Sequence, residues 1–178
     1  MKTLIITKND LDKDNNYYNG KENLSDWSNP FDGHVEIAEG LGYVGFKASL
    51  VVSGSIVAKA GSGISAGEGI KAGSGIYAGW GISAGWGISA GEGISAGWGI
   101  ECKLSLSFTK RLFAGTSVYR DKTNEIKYIK CGKLEGGTVC YGDVEETGLS
   151  NESEVDTATL EAMELLKKNG YKIVKETS

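Results

Sequence analysis

The chain has 178 residues with a net charge of −4, and 24% of its residues are charged. This length suits one domain with a core, or one elongated module with small terminal caps, rather than two full domains. Because the acidic excess leaves no broad cluster of Lys and Arg for phosphate contacts, direct nucleic-acid binding is not expected.

The N-terminal segment, residues 1–30, is predicted to form a short strand and a polar loop. Its apolar run, within MKTLIIT, is too short for the hydrophobic part of a secretory signal. No stretch of the chain approaches the roughly 18–20 apolar residues that a membrane span requires. We therefore expect a soluble, cytoplasmic protein without a membrane partner.

A mainly β fold, a parallel β-solenoid, is predicted for residues 31–148, and its centre is a glycine-rich hexapeptide repeat over residues 61–102. Seven copies of G-x-G-I-x-A follow one another there, the last ending in Cys102 in place of Ala. Since residues i and i+2 of a strand share a face, Ile and Ala are expected to point into a narrow core. The predicted core isoleucines are Ile64, Ile70, Ile76, Ile82, Ile88, Ile94 and Ile100.

The G-x-G step of each repeat is predicted to turn the chain through a corner, with its two glycines supplying positive φ. The residue between the glycines is expected to face outward. Glu occurs in this slot, and an unpaired carboxylate inside a narrow apolar core would be costly. The tryptophans that share the slot are therefore expected on the outer surface. The middle slot is occupied by Ser62, Glu68, Ser74, Trp80, Trp86, Glu92 and Trp98.

The number of hexads in one coil is left open by the repeat. Three hexads per coil would place Trp80 beside Trp98, whereas two per coil would place Trp86 beside Trp98. A bundle of polyproline II helices and a disordered linker are alternatives, since every third residue of the array is small. We favour the solenoid, because regularly spaced Ile and Trp side chains indicate packing.

Less regular coils are predicted on both sides of the array, where apolar and polar residues alternate. Downstream, residues 149–178 are predicted to form a small cap. Within this cap, residues 153–170 have the apolar spacing and end signals of a helix, and residues 171–175 have the pattern of a strand. The natural partner of this strand is residues 1–7, so that both termini would build one α+β cap.

In its G-I-x-A units, over residues 54–102, the sequence resembles the bactofilins, bacterial polymer-forming β-helix proteins. The resemblance implies a right-handed solenoid of short parallel strands and end-to-end assembly. The hexapeptide acyltransferases also repeat every six residues, but their small inward residue lies two positions before the aliphatic one, where this chain has Ser, Glu or Trp. The sole histidine, His34, also lies before the array, so acyltransferase activity is not expected.

The sequence offers few candidates for catalysis or metal binding. His34 lies between Asp32 and Glu36, but a histidine at a turn before a strand is the simpler interpretation. The cysteines form no CxxC pair and leave one thiol unpaired in any disulfide scheme, which fits a reducing compartment. We expect no enzyme activity, no cofactor and no metal site. The cysteines, predicted to be small buried thiols, are Cys102, Cys131 and Cys140.

The outward tryptophans are the strongest indication of function, because Trp is enriched at binding hot spots and soluble monomers rarely expose large apolar patches. The main hypothesis is a non-enzymatic solenoid that binds another protein through a Trp face. By analogy with phage-type accessory proteins, its partner is hypothesised to be a host nucleic-acid-handling or defence protein. The predicted protein-binding residues are Trp80, Trp86 and Trp98, with Tyr77, Glu68 and Glu92 at the polar rim.

Self-assembly is the alternative hypothesis. Solenoids would stack end to end, as the bactofilin resemblance implies, or pair through their Trp faces to give a homo-oligomer. A third arrangement, in which the terminal helix or the N-terminal loop covers the indoles, would leave no Trp face for either purpose.

Overall fold

The fold is a three-sided parallel β-solenoid, seen in a computed structural model that describes residues 1–13, 16–117 and 127–149. Every pairing between its named strands is parallel, which confirms the predicted fold class. No helix in this part of the chain is long and apolar enough to cross a membrane. In chain order the strands are β1 (Lys2–Ile6), β2 (Gly33–Ile37), β3 (Gly42–Phe46), β4 (Leu50–Val52), β5 (Ile56–Ala58), β6 (Ser62–Ala66), β7 (Ile70–Ala72), β8 (Ile76–Ala78), β9 (Ile82–Ala84), β10 (Ile88–Ala90), β11 (Ile94–Ala96), β12 (Ile100–Cys102), β13 (Ser105–Ala114), β14 (Tyr128–Cys131), β15 (Lys133–Tyr141) and β16 (Asp143–Glu146).

One coil of the solenoid contains three strands and three corners. Ile64 of β6 pairs with Ile82 of β9, which pairs with Ile100 of β12, so equivalent positions lie 18 residues apart. Three hexads therefore form one coil. The first face consists of β1, β2, β5, β8, β11 and the second half of β13. The second face consists of β3, β6, β9, β12, β14 and β16, and the third of β4, β7, β10 and the first half of β13.

Isoleucine and alanine fill the core, as the repeat predicts. All seven isoleucines of the array are at most 1% exposed, and the alanines that follow them are at most 8% exposed. Burying one Ile side chain contributes roughly 2–3 kcal/mol, whereas ordering six backbone residues costs about 1–2 kcal/mol each. A single hexad is therefore unstable alone, and each coil depends on the coils stacked against it.

The glycines at the regular corners are required by close backbone approach, not by the positive φ that the sequence analysis predicts. None of the repeat glycines within residues 67–99 has a positive φ. A Cβ on the first glycine of a G-x-G step would lie closer than 3.0 Å to a backbone carbonyl oxygen of the previous coil. At Gly85, for example, the added Cβ would meet the carbonyl oxygen of Gly67. Any larger residue would push two coils apart. The glycines in this position are Gly67, Gly73, Gly79, Gly85, Gly91 and Gly97.

The first corner of the array departs from the repeat. Ser62, predicted to face outward, is fully buried. Its Oγ donates to the carbonyl oxygen of Ala38 at 2.7 Å and accepts the N–H of Leu41 at 3.0 Å. The loop between β2 and β3 crosses this corner, so the hydroxyl has partners inside. Here glycine does supply positive φ, with 71° at Gly40 and 73° at Gly61.

The N-terminal strand belongs to the stack. β1 pairs with β2 along its whole length and buries Ile6. Residues 2–6 therefore belong to the solenoid, whereas the sequence predicts that the solenoid begins at residue 31. The polar loop that follows lies against the first coils, with Leu24 buried and the Trp27 ring on Gly69. The predicted helix over residues 153–170 and the strand that follows it fall outside the described residues.

Two of the three cysteines are buried, as predicted, but Cys140 is exposed. It lies on β15 at a register shift against β13, where Val139 pairs with Leu112 and Tyr141 with Phe113, so Cys140 falls outside the inward–outward alternation. Burial raises the pKa of the Cys102 thiol to about 12 and that of Cys131 to about 11. Both buried thiols are therefore protonated at neutral pH and contribute as small apolar residues.

The backbone contact at the corners predicts a steep cost for a single methyl group. Gly85→Ala is expected to destabilise the protein by about 1–3 kcal/mol, because the new Cβ collides with the carbonyl oxygen of Gly67. Ser83→Ala, on the outward slot of β9, is the matched control and is expected to change stability by less than about 0.5 kcal/mol. Denaturant unfolding measures both, and equal stabilities would contradict the close-approach explanation.

The exposure of the cysteines predicts their reactivity. At pH 8, a disulfide reagent is expected to modify one thiol per native chain, Cys140, and three after unfolding. Cys131, with a pKa of about 11, holds only about one thiolate in a thousand at this pH, and Cys102 holds fewer. Cys140→Ser should remove the fast reaction. Two or more reactive thiols in the native protein would contradict the burial of Cys102 and Cys131.

Candidate functional site

The six predicted binding residues do not share one face. Residues one coil apart stack at the same corner, because the N–H of Trp98 donates to the carbonyl of Trp80 at 3.3 Å and that of Trp86 to Glu68 at 3.0 Å. The three tryptophans are consequently divided between two corners. Trp80 and Trp98 lie at the first corner, between the first and second faces; Glu68 and Trp86 lie at the second corner; Glu92 lies at the third; and Tyr77 lies on the first face.

Three rings cluster at the first corner, and we call Tyr43, Trp80 and Trp98 the aromatic corner. The two indoles stack, with ring centroids 4.6 Å apart and planes inclined by 8°. Tyr43 lies 5.8 Å from the Trp80 ring and 6.4 Å from the Trp98 ring. None of these rings is in the buried core, and the Tyr43 side chain is 39% exposed. The aromatic corner is thus an ordered apolar surface on the outside of the solenoid.

Tyr43 could not be recognised from the hexad pattern, because it precedes the regular repeat and lies in no hexad. Its ring lies on Gly63 and its hydroxyl beside Gly81, each closer than 3.0 Å to the place of the missing Cβ. Tyr128 lies on Gly99 in the same way. Burial raises the pKa of both tyrosines, so each is a neutral phenol at physiological pH. The second glycine of a G-x-G step therefore serves as a platform for a ring.

Trp86 lies apart from the aromatic corner and is 50% exposed. A groove of about 220 Å³ lies beside it, with Gly87 in its floor and Trp27 on the opposite side. The Trp27 indole N–H donates to Ser49 Oγ at 2.8 Å, and Ser49 Oγ donates to a carboxylate oxygen of Glu68 at 2.9 Å. Glu68 is therefore a structural partner of the N-terminal loop rather than a free polar rim.

The third corner and the first face carry the remaining predicted residues. Glu92 forms an ion pair with Lys110 at 2.9 Å, and Tyr77 is 43% exposed.

Tyr77 belongs to a column of outward apolar side chains on the first face, which the hexad pattern does not predict. Irregular corners on both sides of the array vary the spacing between its members, which hides them in the sequence. The other apolar members of the column are Ile5, Val57, Phe113 and Tyr141.

The histidine and its acidic neighbours do not converge. His34 Nδ1 accepts the N–H of Ser55 at 3.0 Å, so its ring is held by the backbone of the next coil. Glu36 forms an ion pair with Lys59 at 2.6 Å. Within residues 1–13, 16–117 and 127–149, no group of three or more His, Cys, Asp or Glu side chains is placed to hold a metal ion.

No protein-family model, no curated protein and no solved structure matches this chain.

The two tryptophan environments predict different responses to a soluble quencher. Trp86→Phe is expected to lower the slope of acrylamide quenching, because it removes the most exposed indole of the array. Trp98→Phe is the matched control and is expected to raise the slope, since it removes a stacked emitter and uncovers Trp80. Equal changes in the two variants would contradict the division of the tryptophans between two corners.

Proposed function

We propose that this β-solenoid is a non-enzymatic protein–protein interaction module and that the aromatic corner is its main contact. The observation that carries the proposal is the stack of two indoles at 4.6 Å, extended by Tyr43, on the outer surface. Soluble proteins rarely hold several large rings together in solvent, and buried Trp and Tyr dominate the energetics of interfaces. A partner that covers these rings would gain that burial energy.

The rigidity of the corner supports the same function. The Tyr43 ring lies on Gly63, the two indoles stack on each other, and the backbone below them is tied from coil to coil by hydrogen bonds of 2.8 Å at Trp80 and 3.3 Å at Trp98. Side chains that are already ordered lose little conformational entropy on binding, so more of the contact energy becomes affinity. This arrangement is typical of a preorganised binding surface.

We propose that the protein acts in the cytoplasm, where its three free cysteines would stay reduced. The phage-type inhibitor of a host nucleic-acid-handling or defence protein is the specific form of the hypothesis. An acidic strand, β16, supports it: Asp143, Glu145 and Glu146 are all exposed, Asp143 and Glu145 being paired with Lys127 and Lys130 at the surface, and a partner's basic groove could take these carboxylates in place of nucleic acid. The identity of a captured partner tests this form directly.

The test compares two corners of one solenoid. The double variant Trp80→Ser with Trp98→Ser is expected to lose capture of a stoichiometric partner from host lysate by at least about tenfold, since hot-spot side chains each contribute 2 kcal/mol or more, roughly. Trp86→Ser is the matched control at the other corner and should retain capture. Circular dichroism and thermal unfolding establish that each variant is folded. Capture that survives in the folded double variant would refute the role of the aromatic corner.

Self-assembly remains a second proposal, because one observation favours it. Val144 of β16 and Leu149 are 42% and 44% exposed at the end of the described stack, and β16 pairs on one edge only within that part. Against end-to-end stacking, the open edge of β16 is lined by exposed charged side chains, and a charged edge strand disfavours pairing with a further strand. Light scattering after size exclusion decides: mass that grows with concentration supports assembly, and a constant monomer mass contradicts it.

A further inference from the structure

Four of the seven second glycines of the array carry an aromatic ring, a fifth lies against a tyrosine hydroxyl, and two carry neither. A Cβ on any of these five would meet a Tyr or Trp side chain of this chain at less than 3.0 Å, whereas at Gly87 and Gly93 it would meet only backbone atoms of the next coil. The chain itself thus shows which group these platforms accept. The glycines covered by rings are Gly63 (Tyr43), Gly69 (Trp27), Gly75 (Tyr77) and Gly99 (Tyr128), and the Tyr43 hydroxyl lies against Gly81.

The uncovered Gly93 lies in the floor of a groove of about 510 Å³, which we call the Gly93 groove. Ser95 pairs with Tyr77 on one side and with Phe113 on the other, so the small hydroxyl lies between two aromatic rows. The strands of Tyr77 and Phe113 are two coils, or about 9.6 Å, apart. The space above Ser95, between these two side chains, can therefore hold one ring. The groove therefore has the glycine floor and the aromatic sides of the covered platforms, but no ring of its own.

The charge of the groove limits its occupant. Lys110 and Arg111 both line it, and Glu92 pairs with Lys110 at 2.9 Å. Among the described residues, no acidic side chain forms an ion pair with Arg111, whose side chain is exposed. The lining therefore has one uncompensated positive charge next to an apolar platform. A group that satisfies both features combines a flat ring with a carboxylate.

We propose that the Gly93 groove binds an aromatic side chain of the partner protein that lies next to a carboxylate in the partner's sequence. The ring lies on Gly93 between the rows of Tyr77 and Phe113, as the Tyr128 ring lies on Gly99. The carboxylate pairs with Arg111. This inference rests on the proposed function and adds to it a second contact, with a defined chemistry, away from the aromatic corner.

Small probes test the groove without any partner. N-acetyl-L-tyrosine, which has a ring and a carboxylate, is titrated into the ¹⁵N-labelled protein and followed at the amides of Gly93 and Ser95. Saturable shifts at these amides are expected, and N-acetyl-L-tyrosinamide should bind about two- to fivefold more weakly because it lacks the charge that pairs with Arg111. Arg111→Gln should remove this difference between the two probes.

One substitution allows the chain to fill its own groove. In the covered platform, Tyr77 follows Gly75 by two residues, just as Ser95 follows Gly93. Ser95→Tyr is therefore expected to place a ring on Gly93 and to abolish the saturable shifts while the amide spectrum stays that of a folded solenoid. Ser89→Tyr, two residues after the other uncovered glycine, is the matched control and should leave binding at the Gly93 groove intact.

The outcomes separate this inference from the proposed function. Shifts that persist in Ser95→Tyr, or the absence of saturable shifts at Gly93 in the parent protein, would overturn the groove proposal. Adenosine monophosphate is titrated in parallel, and tighter saturation with this nucleotide than with the tyrosine derivative would also overturn it, in favour of a nucleotide site. Because no partner is present, loss of capture in the aromatic-corner variants does not affect the result.

Discussion

The structure depends on how closely one coil approaches the next at its corners. A carbonyl oxygen of the previous coil stands where the side chain of the first corner glycine would begin, so the corner admits no Cβ. The close approach lets successive coils pair through parallel strands in an 18-residue register, with Ile above Ile and Ala above Ala. The small interior, the short strands and the position of every outward side chain follow from that register.

The same register decides what the surface can bind. The second glycine of each corner step exposes flat backbone, and the chain covers most of these platforms with its own tyrosine and tryptophan rings. Where two indoles fall one coil apart, as Trp80 and Trp98 do, they stack into a half-buried cluster on the outer surface. Where no ring is supplied, as at Gly93, a groove with aromatic sides remains. The placement of the chain's own rings on these glycines therefore follows from the scaffold as well as from individual residues.

The sequence predicts the interior better than the exterior. Its period of six defines which side chains point inward, and Ile64 to Ile82 to Ile100 form the expected core column. A period of six is compatible with two or three hexads per coil, because this number depends on the backbone contacts between coils. The sequence alone therefore does not decide which residues lie next to Trp86. It also could not reveal Tyr43, because insertions before the array remove the periodic mark from its position.

The corner glycines show a different limit. Glycine permits positive φ and also permits close approach, and the sequence does not distinguish these two uses. Positive φ occurs at Gly40, Gly42 and Gly61, around the irregular first corner, whereas the repeat glycines within residues 67–99 have no positive φ. The slot of Ser62 predicts an outward side chain, but Ser62 is buried because the β2–β3 loop supplies two hydrogen-bond partners there. Contacts from outside a repeat override the pattern inside it.

A double-mutant cycle on the free energy of unfolding tests the three-hexad register and the aromatic corner together. Substituting Trp80 and Trp98 by Ala, singly and together, is expected to give a coupling energy of about 0.5–1.5 kcal/mol. The same cycle on Trp86 and Trp98 is expected to give none, because these residues lie at different corners. Coupling between Trp86 and Trp98, with none between Trp80 and Trp98, would mean two hexads per coil and would contradict the account.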